Sequence, residues 1–192
     1  VEGRVCMDIG EAAGGFTDVL LKNGASHVYA IDVGYGQFDW GLRNDPRVTL
    51  MERTNARYVT REQLPLHPTM TVMDVSFISI KLILPVAAEI MGPEGCFYTL
   101  VKPQFEAGRD RVGKKGVVRD PKVHEDVLMD IVNFAPTFGW QVKQLAYSPI
   151  TGPEGNIEFL AHIVPQDEHI STITPEFISR LVAQAHEGVK KE

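Results

Sequence analysis

The fold is decided by the stretch Val5-Cys6-Met7-Asp8-Ile9-Gly10-Glu11-Ala12-Ala13-Gly14-Gly15-Phe16-Thr17-Asp18-Val19-Leu20-Leu21. An apolar run ends in Asp-Ile-Gly, more glycines follow, and apolar residues then recur at helical spacing. This order predicts a strand, a tight turn and a helix. Such a turn lets a ligand approach bare backbone and the free N–H groups that begin the helix. By itself, the pattern fits a plain strand-to-helix connection equally well.

A second apolar run, residues 27–32, ends in another acid, Asp32. Asp32 lies about twenty residues after the glycine turn, where a βαβ unit places a carboxylate that accepts both hydroxyls of a nucleoside ribose. A solvated Asp at a strand end is the alternative. The glycine spacing departs from G-x-G-x-x-G, because three other residues separate Gly10 from the pair Gly14-Gly15. This departure disfavours an NAD-dependent Rossmann enzyme.

The rest of the chain alternates apolar runs with helical patterns. The predicted strands after the first two cover residues 47–51, 70–77, 96–103, 140–147 and 157–164, and the predicted helices lie near 38–42, 80–90, 121–135 and about 175–187. Alternation of this kind predicts an α/β domain with a mainly parallel sheet covered on both faces. The last two strands have no helix between them and are predicted to pair antiparallel. We predict one domain over residues 1–192.

Charged residues occupy the ends of four predicted strands, namely Asp8, Asp32, Asp74 and Lys102. Ligands of open α/β sheets bind outside the carboxyl ends of the strands, so this coincidence predicts a ligand site. Asn55 follows the third strand and would either contact an adenine ring or cap the next turn.

The basic segment, from Gln104 to Arg119, is predicted to be a loop after the fifth strand, and glycines interrupt its cations Arg109, Arg111, Lys114, Lys115 and Arg119. It suits a mobile element that grips phosphates, although an ordinary solvated surface explains it equally well. Farther along, Glu158 interrupts the apolar run of the last strand. A buried carboxylate normally needs a partner.

Composition narrows the function. The formal net charge of −6 argues against nucleic-acid affinity over the whole surface, so RNA binding would need a local basic patch or another domain. No apolar run is long enough to span a bilayer, and the first residues have no signal-peptide character, so we expect a cytoplasmic protein without a membrane partner. The two cysteines are expected to be free thiols, and the six histidines show no metal-ligand spacing.

Taken together, these residues resemble the Rossmann-like fold of S-adenosylmethionine-dependent methyltransferases. More closely, the chain resembles the catalytic domain of the TlyA (haemolysin A) family, FtsJ-like ribosomal RNA 2′-O-methyltransferases. The resemblance extends over residues 5–164. Its motifs lie at residues 8–18, 29–37, 51–57, 74–79, 101–106, 116–121 and 148–159.

The resemblance implies S-adenosylmethionine as cofactor and methyl transfer to a ribose 2′-hydroxyl of ribosomal RNA. The residues it assigns to the cofactor are Asp8, Gly10, Gly14, Gly15, Phe16, Thr17, Asp32, Val33, Asn55, Ala56 and Asp74. Three members of the family's Lys-Asp-Lys-Glu tetrad match Asp74, Lys102 and Glu158, with Lys102 as the base or as the group that orients the hydroxyl. From its charges and glycines we expect the basic segment to contact the RNA of a ribosomal subunit, and the histidine spacing leads us to expect no metal site.

The first lysine of the tetrad and an S4-type RNA-binding domain precede the glycine turn in the family. Both are expected to lie outside residues 1–192, so we expect this chain alone to bind cofactor without turnover. Two other functions remain open. One is a small-molecule methyltransferase, which the Lys102 and Glu158 matches and the basic segment disfavour. The other is a ribosome-associated module that binds cofactor or RNA without catalysis.

Overall fold

The computed structural model describes residues 1–10, 15–32, 40–169 and 171–189. The strands are β1 (Val5–Gly10), β2 (His27–Asp32), β3 (Val48–Met51), β4 (Met70–Asp74), β5 (Cys96–Val101), β6 (Trp140–Tyr147) and β7 (Phe159–Pro165). The helices are α1 (Gly15–Lys22), α2 (Trp40–Arg43), α3 (Leu84–Met91), α4 (Pro103–Glu106), α5 (Pro121–Phe134) and α6 (Pro175–Val189). In the described residues the strands form one seven-stranded sheet in the order β3-β2-β1-β4-β5-β7-β6. The predicted α/β class and the antiparallel C-terminal hairpin are confirmed.

The chain divides into two compact units. The N-terminal unit comprises Val1–Ser76 and Leu82–Thr99, and the C-terminal unit comprises Phe77–Lys81 and Leu100–Glu192.

In the N-terminal unit, β1 is central and pairs in parallel with β2 and β4. Strands β3 and β5 extend the sheet by parallel pairing with β2 and β4. Helix α1 buries Leu20 and Leu21 against this sheet and ends at Lys22. Gly24 follows two residues later with a φ of 93°, which only glycine adopts easily. The buried core beneath it consists of Cys6, Leu20, Leu21, Ala25, Val28, Met70 and Val72.

In the C-terminal unit, β6 and β7 pair antiparallel, from Trp140 opposite Pro165 to Tyr147 opposite Phe159. Helix α5 begins at Pro121, and the preceding Asp120 caps it by accepting a hydrogen bond from the Lys122 N–H at 2.9 Å. Helices α5 and α6 pack on each other and on β6.

The structure corrects several predicted boundaries. The predicted helix over 80–90 is a 3₁₀ turn, Ile80–Leu82, followed by α3. The basic segment is not the predicted loop, because it includes most of α4 and two 3₁₀ turns, Arg109–Arg111 and Lys114–Gly116. The last helix continues to Val189, two residues beyond the prediction. Phe38, predicted to begin the second helix, lies outside the described residues.

Candidate active site

The carboxyl end of β1 is the centre of the N-terminal unit's site. Gly10 lies opposite Asp32 of β2 on one side and Asp74 of β4 on the other. The order of strands reverses at β1, and a crevice opens where such a reversal occurs. A Cβ on Gly10 would lie 2.9 Å from the backbone oxygen of Asp74, so this position has no room for a larger residue.

Asp8 fixes the start of α1 to β1. Its carboxylate is buried and accepts a hydrogen bond from the Thr17 hydroxyl at 2.7 Å. Burial raises the pKa of Asp8 to about 6, and the nearby negative charge of Asp74 adds to the effect. The predicted cofactor residues Asp8 and Thr17 therefore bind each other. This pairing holds the helix at the strand end where the predicted ligand would lie.

The end of β2 also organises the segment that follows β3. Asp32 is buried, and its backbone oxygen accepts a hydrogen bond from the Thr54 N–H at 3.0 Å. That bond brings Asn55 and the buried Ala56 to the same edge of the sheet. The Asn55 side chain accepts from the Arg57 N–H at 3.1 Å and caps a 3₁₀ turn. Of the two roles that the sequence left open for Asn55, capping is the one that this contact shows.

The remaining predicted cofactor residues differ in how far the structure describes them. Phe16 is partly buried against the core beneath α1, and Gly15 is the first residue of that helix. Gly14 and Val33 lie outside the described residues.

These residues suit S-adenosylmethionine. The cofactor carries a ribose diol and cationic sulfonium and ammonium groups, all of which carboxylates bind well. Asp32 and Asp74 supply carboxylates on either side of a glycine, where the backbone can approach a ligand closely.

The C-terminal unit holds the other two predicted catalytic residues. Lys102 is buried immediately after β5, and Glu158 is buried immediately before β7. Gln104 donates a hydrogen bond from Nε2 to Oε2 of Glu158 at 2.9 Å. A chain segment two residues beyond Lys102 therefore binds the Glu158 carboxylate.

A close turn shapes the space that Glu158 occupies. A Cβ on Gly152 would lie 2.2 Å from Oε2 of Glu158, which is far inside van der Waals contact. Neither Gln104 nor Gly152 is among the site residues predicted from the sequence. Both lie in the motifs at 101–106 and 148–159, and nothing in their local pattern indicated that they meet at Glu158.

The basic segment is folded and partly neutralised. Arg111 forms an ion pair with Asp126 of α5 at 2.8 Å, and Arg119 donates to the backbone oxygen of Lys114 at 3.3 Å. Lys114 and Lys115 are exposed. The five predicted phosphate contacts are therefore not equivalent, since Arg111 already has a carboxylate partner.

An aromatic cleft of about 460 Å³ opens in the C-terminal unit. Phe77 is 83% exposed and has a φ of 64°, and its ring centroid lies 5.0 Å from that of Phe105. A β-branched or aromatic residue rarely adopts this left-handed conformation, which is typical of functional positions. The cleft is lined by Phe77, Gln104, Phe105, Gly108, Arg109 and Val112. Sequence periodicity could not find it, because Phe77 reads as the end of an apolar strand.

Glu106 holds the Phe77 segment in place. Its carboxylate accepts hydrogen bonds from the Ser79 hydroxyl at 2.6 Å and the Ile80 N–H at 2.9 Å. Burial raises the pKa of Glu106, and these two hydrogen bonds oppose that effect.

Neither a metal-binding cluster nor a membrane-spanning helix occurs in the part of the chain that the structure describes. Within residues 1–10, 15–32, 40–169 and 171–189, no cluster of three or more His, Cys, Asp or Glu side chains is arranged to bind a metal ion. Every helix in those same ranges is too short or too polar to cross a bilayer.

Comparison with known proteins identifies the family. The model of the FtsJ-like methyltransferase family matches residues 1–164. The chain is 49% identical over 195 residues to "Putative rRNA methyltransferase YqxC" of Bacillus subtilis, which covers all of this chain and 69% of that protein. It is 44% identical over 168 residues to "16S/23S rRNA (cytidine-2'-O)-methyltransferase TlyA" of Mycobacterium tuberculosis, covering 88% of this chain and 63% of that protein.

Solved structures agree. The structure of "Putative hemolysin from Streptococcus thermophilus" superposes with a TM-score of 0.93 at 48% identity, covering 100% of this chain and 69% of that one. An S-adenosylmethionine-dependent methyltransferase from Mesorhizobium loti shares the fold, with a TM-score of 0.57 at 15% identity over 85% of this chain and 91% of that one. The resemblance and the fold predicted from the motifs are confirmed, and the chain belongs to the FtsJ-like methyltransferase family.

Proposed function

We propose that this chain is the catalytic domain of an enzyme that methylates a ribose 2′-hydroxyl of ribosomal RNA, with S-adenosylmethionine as methyl donor. The observation that carries the proposal is the burial of Lys102 and Glu158 in the C-terminal unit, with Gln104 hydrogen-bonded to the Glu158 carboxylate. Asp74, Lys102 and Glu158 match three members of the family's tetrad. In the N-terminal unit, Gly10, Asp32 and Asp74 suit the cofactor.

The cofactor, when bound, supplies an electrophilic methyl group on its sulfonium. The Asp32 carboxylate would accept hydrogen bonds from the ribose hydroxyls of the cofactor and so fix the orientation of its nucleoside part. Asp8 acts indirectly, through Thr17, by holding the first turn of α1 at the end of β1. Positioning of this kind contributes most when it aligns the reacting atoms before the reaction begins.

Lys102 contacts the attacking 2′-oxygen, and its amine takes the hydroxyl proton or orients the oxygen from Nζ. Glu158 supplies the negative charge that holds the lysine and the hydroxyl in place. Gln104 limits the movement of Glu158, because an amide donor occupies Oε2. The Lys102 and Glu158 side chains are both buried, and burial strengthens their electrostatic contacts.

We propose that the aromatic cleft receives the base of the target nucleotide, removed from its stack. Stacking on an aromatic side chain contributes about 1–3 kcal/mol per base and does not depend on sequence. Phe77 and Phe105 supply the rings, and Arg109 supplies a cation at the rim. By analogy with the named TlyA relative, we propose cytidine as the nucleotide. The exposed Lys114 and Lys115 supply phosphate contacts.

The proposal is tested by incubating the full-length protein with labelled S-adenosylmethionine and separated ribosomal subunits. Label should appear on a ribose 2′-oxygen of one ribosomal RNA, and mapping should place it at a cytidine. Lys102→Ala should abolish the label while leaving the affinity for S-adenosylhomocysteine nearly unchanged. Cofactor binding without any RNA label would support the non-catalytic module instead, and label on a small molecule would overturn the RNA substrate.

A further inference from the structure

Asn156 joins two loops of the C-terminal unit that carry different parts of the site. Its side chain is almost completely buried, at 2% exposure, although it lies in a turn rich in glycine and proline. Oδ1 accepts a hydrogen bond from the Val118 N–H at 3.0 Å. Nδ2 donates to the Gly116 oxygen and the Pro153 oxygen, each at 3.0 Å. The amide thus uses both of its ends on backbone groups of two separate segments.

The first of these segments is the end of the basic segment. Gly116 and Val118 directly follow Lys114 and Lys115, the two exposed lysines that we assign to RNA phosphates. Val117 and Val118 are themselves buried, so the chain is fixed just where the lysines end. Asn156 supplies two of the hydrogen bonds that hold this point.

The second segment is the turn beneath Glu158. The Gly152 N–H donates to the backbone oxygen of Asn156 at 2.8 Å, which closes the turn on itself. The closed turn brings Gly152 against the Glu158 carboxylate, so closely that a Cβ would overlap it. The position of Asn156 therefore determines where the Gly152 turn lies against the Glu158 carboxylate.

We propose that Asn156 is a positioning residue, which keeps the RNA-binding lysines and the Glu158 carboxylate in one fixed arrangement. This inference rests on the proposed function. Asn156 itself touches neither substrate nor cofactor, and it acts through the Gly152 turn and the Gly116–Val118 backbone. A backbone-like amide suits this role, because it offers a donor and an acceptor in one rigid plane. Losing it frees both segments at once.

The test uses Asn156→Asp and Asn156→Ser in the full-length protein. Asp keeps the acceptor for the Val118 N–H but directs a carboxylate oxygen at two carbonyl oxygens. The Ser variant has no such repulsion, and its shorter hydroxyl reaches fewer of the backbone partners of Asn156. It is the variant to measure if Asn156→Asp does not fold. Asn23→Asp and Asn23→Ser are matched controls, since the Asn23 side chain is exposed and donates a local hydrogen bond to the Val19 oxygen at 2.7 Å.

Steady-state methylation and calorimetry separate a positioning role from a structural one. Well below the melting temperature of each variant, kcat should fall roughly 10- to 100-fold and the KM for RNA should rise, as for a misplaced reacting group. The dissociation constant for S-adenosylhomocysteine should stay within about twofold of wild type, because the residues assigned to the cofactor are not touched. The Asn23 controls should keep wild-type kcat.

The outcomes are distinct. If both Asn156 variants only melt earlier, with kcat and KM unchanged, Asn156 is merely structural and the inference is wrong. If the wild-type protein itself labels no ribosomal RNA, the proposed function fails instead. The rate of hydrogen exchange at the Val118 amide is an independent measurement. The Ser variant lacks the Oδ1 acceptor, so exchange at Val118 should be faster in it than in wild type. Unchanged exchange would also overturn the inference.

Discussion

At the residue scale, the candidate site depends on positions where a single side chain, or the lack of one, fixes a functional group. Gly152 is such a position, because its α-carbon lies against the Glu158 carboxylate. Asp32 is another, since it is a buried carboxylate at the end of a strand. Each can be tested by one substitution that leaves the rest of its unit intact.

We predict that Gly152→Ala impairs chemistry while leaving cofactor binding intact. The new methyl group would lie 2.2 Å from Oε2 of Glu158 and must displace that carboxylate from Gln104. A misplacement of about 1 Å can lower kcat by roughly 100-fold. Gly188→Ala makes the same chemical change where the added Cβ meets only the Tyr147 side chain, and it should keep wild-type kcat. Equal kcat values for wild type and Gly152→Ala would show that Glu158 tolerates movement.

Asp32→Ala should weaken binding of S-adenosylhomocysteine. Loss of a charged acceptor for two ribose hydroxyls costs ~2–4 kcal/mol after partial compensation by water. Isothermal titration calorimetry on the folded variant measures this directly. Asp18→Ala is the matched control and should bind like wild type, because Asp18 is a half-exposed acid on α1 that pairs with Lys22 at 2.7 Å. Unaltered affinity in Asp32→Ala would remove Asp32 from the cofactor site.

At the scale of elements, α5 and α6 are joined by a pair of histidines. His124 is fully buried on α5 and donates from Nε2 to the Val118 oxygen at 3.0 Å, so its Nδ1 accepts from Nε2 of His186 on α6 at 2.8 Å. Burial, and then the proximity of His186, lower the pKa of His124 to about 4. The neutral ring is therefore part of how the two helices pack.

This pair predicts acid sensitivity. The unfolded chain protonates His124 below pH 6.5, whereas the folded chain protonates it only below about pH 4. The free energy of unfolding therefore falls as the pH is lowered from 6.5 to 4. His124→Gln keeps a donor for Val118 and removes the titration. From pH 7 to pH 5 the variant should lose ~2 kcal/mol less than wild type in urea denaturation. Parallel pH profiles of the two proteins would contradict this.

Asp8 should have the opposite effect in the N-terminal unit. Its pKa is raised from 3.8 to about 6, so the folded chain takes up this proton first, and the free energy of unfolding rises as the pH falls from 6. Asp8→Asn removes that gain. Between pH 7 and pH 5 the Asn variant should lose ~1 kcal/mol more than wild type. A smaller loss than wild type would reverse the sign and refute the assignment.

The basic segment leads to a prediction about which cations meet RNA. Lys114 and Lys115 are exposed, whereas Arg111 is neutralised by Asp126. Hydrogen bonds from Lys122 and then from Arg111 lower the pKa of Asp126, so this carboxylate stays ionised at neutral pH. Replacing both lysines by Ala in the full-length protein should flatten the salt dependence of RNA binding by about 0.7–0.9 per lost contact. Arg111→Ala, the matched control, should change the slope less. A larger change in the Arg111 variant would reverse the assignment.

At the scale of the whole molecule, the chain spans 63% of the TlyA relative and 69% of the YqxC relative. We propose that the tetrad's first lysine and an S4-type domain belong to the full-length protein upstream of residue 1. Residues 1–192 should then bind S-adenosylmethionine without detectable methylation of ribosomal RNA. Loss of one catalytic group typically lowers the rate by about 10²–10⁴-fold. Robust methylation by residues 1–192 would show that Asp74, Lys102 and Glu158 suffice.

The sequence by itself determined the α/β class, the family and the charged strand ends. These features are encoded locally: an apolar run that stops at an acid or a lysine marks the end of a buried strand, whatever surrounds it. The carboxyl ends of parallel strands meet at one edge of a sheet, so the sequence was enough to predict that Asp32 and Asp74 lie at the same edge. The antiparallel final pair followed from the missing helix between two apolar runs.

Only the tertiary structure decided how Glu158, Asn156 and His124 are held. Their partners Gln104, Gly116 and His186 lie 54, 40 and 62 residues away along the chain. No periodicity relates residues so distant, because packing of whole elements brings them together. The basic segment shows the same limit: its glycines and charges predicted a loop, whereas the Arg111–Asp126 pair and the Asn156 amide fold it. Local patterns identify elements, but the contacts that position the reacting groups exist only after those elements have packed.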